Sequence, residues 1–403
     1  MSPSIRNYLV ITGGYWAFTL TDGAIRMLVV LHFHSLGYST LEIASLFLFY
    51  EFFGIVTNLV GGWLAARIGL NKTMHMGMAM QVIALAMLTV SESWLTVPYV
   101  MAAQALSGIA KDLNKMSAKA SVKTIVQDDK QSTLFKWVAL LTGSKNALKG
   151  AGFFLGALLL EQLAFRGSLI TLATSLLLVL LLTWWLLPHE MGIAKTKAKF
   201  SQVFSNKPAI NRLSAARFFL FGSRDVWFVV ALPVYLTQVL DWHHTEVGGF
   251  MALWVIGYGL VQALAPKLIN SSHPGPKSAL VWVAILALLP AIIVGGMEQG
   301  WSATTTITIG LILFGAVFAI NSALHSYLIL AYADHDKVAM NVGFYYMANA
   351  GGRLAGTVLS GWVYLEKGLQ GCLWVSTLFL LAAAVISLTL PKLPTTPQAA
   401  PSS

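Results

Sequence analysis

The sequence predicts an all-α membrane protein, with twelve transmembrane helices arranged as two six-helix bundles. Three observations carry that expectation. Of 403 residues, 57% are apolar and only 10% charged, and the mean hydropathy is +0.71, a balance that a soluble domain of this length would not tolerate on its surface. The apolar residues are spread along the whole chain and fall into about twelve windows of about 20 residues, the length that crosses a hydrocarbon core. The chain also repeats itself. A shift of 204 pairs Glu42 with Glu246, Lys149 with Arg353, Ala151 with Ala355 and Gly152 with Gly356, and a shift of 207 pairs Gly108 with Gly315, Asn114 with Asn321, Asp129 with Asp336 and Lys130 with Lys337.

Taken in order, the first crossing is expected over 8–32, an inserted helix that stays, because it carries Asp22 and Arg26 and lacks a small-residue cleavage site. The second, 41–65, holds Glu51 and runs into the loop "GGWLAARIGLNK". The third spans 73–91, and the fourth, 96–118, brings Lys111, Asp112, Asn114 and Lys115. The fifth, 134–160, would be ordinary lipid-facing material but for Lys145, Asn146 and Lys149 in its middle. The sixth, 164–187, ends in Trp184 and Trp185, which with Trp94 and Trp301 read as interfacial anchors. The seventh, 212–236, contains Arg217, Arg224 and Asp225; the eighth and ninth, 245–267 and 278–297, are almost free of charge. Asn321 and His325 lie in the tenth, 303–330, and Tyr345, Tyr346, Asn349 and Arg353 in the eleventh, 338–363. The twelfth, 368–390, holds the one cysteine, Cys372, whose expected role is packing. The corresponding organisation is an N-terminal bundle over 1–188, a basic, Pro-flanked linker over 189–210, a C-terminal bundle over 211–392 and a disordered tail over 393–403. Two parallel six-helix halves are an architecture of secondary transporters, with the substrate site near the midplane between them.

Lysine and arginine set the orientation. Sixteen of them fall at the termini and in connections after even-numbered crossings, from Arg6 through Lys119 and Lys123 to Lys392, against Arg166 and Lys367 on the other face. The positive-inside rule then puts both termini in the cytoplasm, in a cell or inner membrane. The formal charge of +10 is mostly topogenic and calls for no nucleic acid. Eight cations remain inside: Arg26, Lys111, Lys115, Lys145, Lys149, Arg217, Arg224 and Arg353, against Asp22, Glu51, Asp112 and Asp225. An ion against lipid at mid-depth costs roughly 2.5–3.5 kcal/mol on insertion scales, so these side chains should face an interior cavity. The surplus of four positive charges suits a small polyanion.

Spacing agrees with a shared cavity. Lys145 and Lys149 lie on one helical face, continued by Gly152 and Gly156, and Lys111 and Lys115 stack likewise beside Asn114. Like charges so spaced repel in an empty site. Lys145, Lys149 and Arg353 are too deep to reach the headgroups. Lys111 and Lys115 either line the cavity or snorkel, as does Arg217 near its helix end. Asp22 and Arg26 either neutralise each other within one helix or contact substrate. Arg224 and Asp225, adjacent on a helix, should point apart and each need its own partner. Asp22, Glu51, Asp112 and Asp225 are proton-coupling or ion-pair candidates; Asn114, Asn146, Asn321, Tyr345 and Asn349 could bond phosphate-like oxygens or join helices. No nucleotide-binding Gly-rich loop and no His or Cys spacing for a metal is present, so neither catalysis nor a cofactor is expected.

The loop "GGWLAARIGLNK" resembles the Gly-x-x-x-Asp-Arg-x-Gly-Arg-Lys signature of the major facilitator superfamily at Gly62, Arg67, Gly69 and Lys72. Ala66 stands at the acidic position and Gln104 precedes Gly108 where the family has Arg-x-x-x-Gly, so the roles of those charges do not carry over. Over nearly its whole length the chain is similar to the organoarsenical efflux permeases of the ArsJ type, in stretches such as "YWAFTLTDGAIRMLVVLHFHSLGYS", "QALSGIAKDLNKMSAKASVKT" and "LFKWVALLTGSKNALKGAGFFLGALLL". That resemblance implies export of 1-arseno-3-phosphoglycerate, made by glyceraldehyde-3-phosphate dehydrogenase when it accepts arsenate, and hence arsenate resistance. An organophosphate/phosphate exchanger would use the same basic cavity. A drug-proton antiporter is disfavoured by the cation surplus, and antiport and uniport remain open for the anion itself.

Overall fold

The computed structural model describes residues 3–38, 46–126, 131–188, 207–228, 231–242, 244–269, 274–334 and 337–393. Among these the chain is helical nearly throughout: α1 Pro3–Ser35, α2 Leu48–Ile68, α3 Leu70–Met87, α4 Val97–Ile125, α5 Gln131–Leu186, α6 Pro208–Phe228, α7 Ala231–Gln238, α8 His244–Leu268, α9 Pro276–Glu298, α10 Ala303–Tyr332 and α11 Val338–Leu388. Five of them are long and apolar enough to cross a membrane on length and composition alone, and α5 and α11 are more than twice the length required. The expected linker lies outside the described residues as far as 206, and the expected tail from 394.

The two longest helices each reverse on a single residue. Ala164 has φ 54 and ψ 179 within α5, and Gly368 has φ 61 and ψ −163 within α11. The reversal is legible from what each arm touches. Along α1, Tyr8 donates to the Trp137 carbonyl, Trp16 Nε1 to Ser144 Oγ, and His32 stacks on Phe165 at 3.9 Å, so α1 and the first arm of α5 run in parallel. Past the turn the second arm comes back, because Thr183 packs at Gly14 and Asn71 donates to the Pro188 carbonyl. In the second half, Arg217 meets Asn349 and Ala231 meets Ser360 on the outgoing arm of α11, and Phe219 meets Phe379 and Arg212 the Thr389 carbonyl on the returning one. With α6 and α7 forming one crossing, the described helices make twelve.

Gly69 supplies the turn between α2 and α3. Its φ of 104 lies where a side chain is strained, which accounts for that glycine of the loop motif. Gly62, one turn and more earlier, serves packing instead: a Cβ there would stand 2.8 Å from the Ala339 carbonyl oxygen and 3.0 Å from Gly343 Cα. It joins α2 to α11 across the seam between halves. On the other side of the seam, a Cβ on Gly259 of α8 would stand 2.7 Å from the Gly143 carbonyl oxygen of α5.

Both seam contacts lie toward the lysine-rich end of the molecule, and the apolar cores divide accordingly. One buried cluster draws on both halves, from Tyr8, Met116 and Phe135 to Tyr327, Val342 and Tyr346. At the opposite end the cores are separate, one built on Ile25, Leu28, Phe33 and Leu169 of the first half and one on Trp227, Trp254, Phe314 and Leu373 of the second. The halves therefore close on each other at the basic end and part at the other.

Candidate functional site

Glycines bring the first pair of charges together. A Cβ on Gly152 would lie 2.6 Å from the Leu20 carbonyl and 3.1 Å from Gly23 Cα, so α1 and α5 touch backbone to backbone. That approach sets Lys149 Nζ 3.7 Å from Asp22 Oδ2, and the Tyr50 hydroxyl donates to Asp22 Oδ1 at 2.5 Å. The ring of the same tyrosine carries two cations, with Arg26 4.0 Å and Lys111 3.8 Å from its centroid. Asp22 and Arg26 thus share Tyr50 and lie in each other's field.

The second half repeats the device. Gly356 stacks on Gly222, where a Cβ would meet its carbonyl at 2.6 Å, and α6 and α11 close in the same manner. Arg353 Nε then donates to the fully buried Asp225 Oδ2 at 3.1 Å. Asp22 with Lys149 and Asp225 with Arg353 are equivalent pairs in the two halves. Arg224 donates its Nε to Asp225 Oδ1 at 2.6 Å. This corrects the expectation that the adjacent Arg224 and Asp225 would need separate partners: the long guanidinium stem folds back to its neighbour's carboxylate. A third carboxylate, Asp112, is 2% exposed and shared in the same way, by Lys115 one turn on and Lys111 at 3.7 Å.

Each of the three carboxylates is therefore approached by more than one cation, and a positive excess remains at every one. Lys145 adds another amine with no carboxylate among the described residues; it lies in the field of Lys115, Lys149, Arg353 and Lys111, and Lys115 in turn feels Arg353. Lys115 and Lys145 of the first half thus lie within the field of Arg353 of the second. Arg353 keeps 37% and Lys149 22% of the side chain accessible, so both reach open space rather than being consumed by packing.

The remaining candidates divide. Asn349 Oδ1 accepts from Arg217 and the Tyr345 ring lies 5.1 Å from the same guanidinium. Asn146 donates to Gln262 at 2.9 Å, a bond across the seam. Asn114 turns away from the chamber, toward the Met74 carbonyl of α3, where Gly77 admits it; Asn321 bonds the Val317 carbonyl of its own helix. The side chain of Glu51 lies outside the described residues.

One open alternative is settled by burial and two assignments are corrected. Arg217 does not snorkel: it is 2% exposed, because α10 and α11 cover it. Lys119 and Lys123, both assigned to a connection, are each 4% exposed within α4. The signal for Lys119 was present, since Lys111, Lys115, Lys119 and Lys123 recur every fourth residue and so form one stripe. Placing the end of the fourth crossing at 118 concealed it.

The sequence matches the Major Facilitator Superfamily over residues 11–325 and 213–403. No curated protein sequence matches the chain. Solved structures with the same fold include the human organic anion transporter MFSD10 (TETRAN), 17% identical, with a TM-score of 0.76 over 96% of this chain and 100% of that one. A bacterial homologue of the iron transporter ferroportin in its outward-facing state is 15% identical, with a TM-score of 0.76 over 95% and 99%. A variant of the E. coli fucose:proton symporter, FucP, is 11% identical, with a TM-score of 0.77 over 97% and 100%.

Proposed function

Because the chain belongs to the major facilitator superfamily, we propose that it is an efflux transporter for a small organic polyanion, and that 1-arseno-3-phosphoglycerate is its cargo. The observation that carries this reading is the chamber's charge: seven cations, Arg26, Lys111, Lys115, Lys145, Lys149, Arg224 and Arg353, gather around three carboxylates. Ammonium groups and an arginine fork on opposite walls suit a molecule with an anionic, tetrahedral head at each end. Lys145 and Lys149 of the first half and Arg353 of the second hold the two heads, with Lys111, Lys115, Arg26 and Arg224 completing the field. An empty chamber is strained by repulsion; a bound polyanion relieves it and lets the halves rock about the site. Glyceraldehyde-3-phosphate dehydrogenase supplies the cargo, and export confers arsenate resistance.

In this reading the protein sits in the cell's inner membrane with the lysine-rich end and both termini in the cytoplasm. The shared core then seals the cytoplasmic side, and the chamber opens outward. Membrane potential, negative inside, favours anion exit by about 2.3 kcal/mol per charge per 100 mV, so uniport needs no coupling proton.

Everted vesicles test the cargo. Uptake of the arseno-ester should exceed that of inorganic phosphate, be competed by 3-phosphoglycerate and survive collapse of the pH gradient alone. Obligatory counter-movement of labelled phosphate would replace the reading with an organophosphate/phosphate exchanger. Orientation is tested with the native Cys372 as a silent background, since it is fully buried. A cysteine at the exposed Trp94 or Trp301 should react with an impermeant maleimide on intact cells, and one at the exposed Trp185 should not.

A further inference from the structure

Beneath the chamber, at the basic end, lie two cations that the transport reading does not use. Lys119 of α4 and Arg217 of α6 come from opposite halves, are 4% and 2% exposed, and lie in each other's field. Neither meets a carboxylate among the described residues. Arg217 Nε donates to Asn349 Oδ1 at 2.8 Å and Nη1 to the Ser322 carbonyl at 3.4 Å, and the guanidinium lies over Phe221 at 3.8 Å. Lys119 has the Tyr346 ring at 5.0 Å. Buried cations of this kind are ordinarily paired, because desolvation without a counter-charge is expensive.

The groups around them are unfinished as well. Both ring nitrogens of His325 and the Ser322 hydroxyl are buried without a hydrogen-bond partner, and the Tyr345 and Tyr346 hydroxyls lie beside Ser326 in the same buried shell. Unsatisfied buried polar groups in such number mark a site whose occupant is an ion or water. Two cations and several hydroxyl and imidazole donors, converging from α4, α6, α10 and α11, describe the coordination of a tetrahedral oxyanion rather than of a cation or an apolar ligand.

We infer that a phosphate-type oxyanion binds at the seam between Lys119 and Arg217, and that it holds the basic end of the two halves together. It gives the Lys119 and Arg217 side chains a common acceptor where the shared core must close. The oxyanion comes either from free inorganic phosphate or from the far head of the transported ester; the second source alone rests on the cargo proposed above.

The test is thermal stabilisation of the purified full chain in detergent by inorganic phosphate and by 3-phosphoglycerate, comparing wild type, Lys149→Gln, Arg217→Gln and Lys119→Gln. Phosphate that stabilises wild type and Lys149→Gln alike, but binds Arg217→Gln and Lys119→Gln at least tenfold more weakly, establishes a free-ion site. Stabilisation by the ester alone that is lost in Lys149→Gln and in Arg217→Gln establishes the far-head source. Equal responses of all four proteins, or no response of wild type to either probe, overturn the site. Should Arg217→Gln fail to fold, Arg217→Lys, which keeps the charge and loses the fork, is read in its place against Lys119→Gln. The cargo proposal is judged separately, by uptake, and survives the loss of this site.

Discussion

Lys149→Gln and Arg353→Gln are each expected to abolish arsenate resistance and uptake of the arseno-ester while leaving the protein inserted. Both side chains reach open space and both hold a buried carboxylate, Asp22 at 3.7 Å and Asp225 at 3.1 Å. In the proposed clamp, removing either cation takes away a charge-assisted contact to the cargo, worth about 1.5–3 kcal/mol, or roughly 10- to 100-fold in affinity. It also strengthens the competing negative field of the carboxylate left behind. The double variant Lys149→Gln with Asp22→Asn separates the two roles. It should stay inactive, because the cargo still lacks its ammonium partner whether or not Asp22 keeps its charge. Recovery of transport in the double variant would make Lys149 a structural partner of Asp22 and remove it from the anion clamp.

Gly62→Val should stop the transport cycle by a different route. The closest approach of α2 to α11 leaves no room for a side chain, with the Ala339 carbonyl oxygen 2.8 Å from where a Cβ would stand. Overpacking of this kind costs about 1–3 kcal/mol, which the protein escapes by opening the basic end, where the contact does not form. A shift of about 1.4 kcal/mol moves a two-state balance tenfold. Uptake should therefore fall about tenfold or more. A cysteine at the fully buried Val342 should at the same time become reactive to maleimide from the lysine-rich side. An unreactive Val342→Cys together with normal uptake would show that the seam need not close.

Hydropathy and repeat made most of this architecture legible. The breaks expected at 160–164 and 363–368 fall on the residues Ala164 and Gly368 where α5 and α11 reverse, because a loss of apolar continuity and a helix end have the same cause in lipid. The acid–cation pairs were only half legible. Periodicity places Lys145 and Lys149 on one face of a helix, but not which helix stands opposite, so Asp22 as the partner of Lys149 emerged only from the contact of Gly23 with Gly152. Arg224 and Asp225 misled because Cα directions on a helix say little about where a long guanidinium stem ends. Lys119 was lost to an assumed boundary, since helix ends are the least determinate feature of a hydropathy profile. The parting of the halves at one end left no trace in the sequence, because it depends on which apolar faces meet.

The single-residue reversals at Ala164 and Gly368 have a mechanical meaning. With no slack between them, the paired arms of α5 and of α11 act as stiff levers. At a rise of about 1.5 Å per residue, the first arm of α5 is about 50 Å long. A tilt of about 10° pivoting at the Gly143 seam, about 30 Å from the far tip, therefore moves that tip by roughly 5 Å.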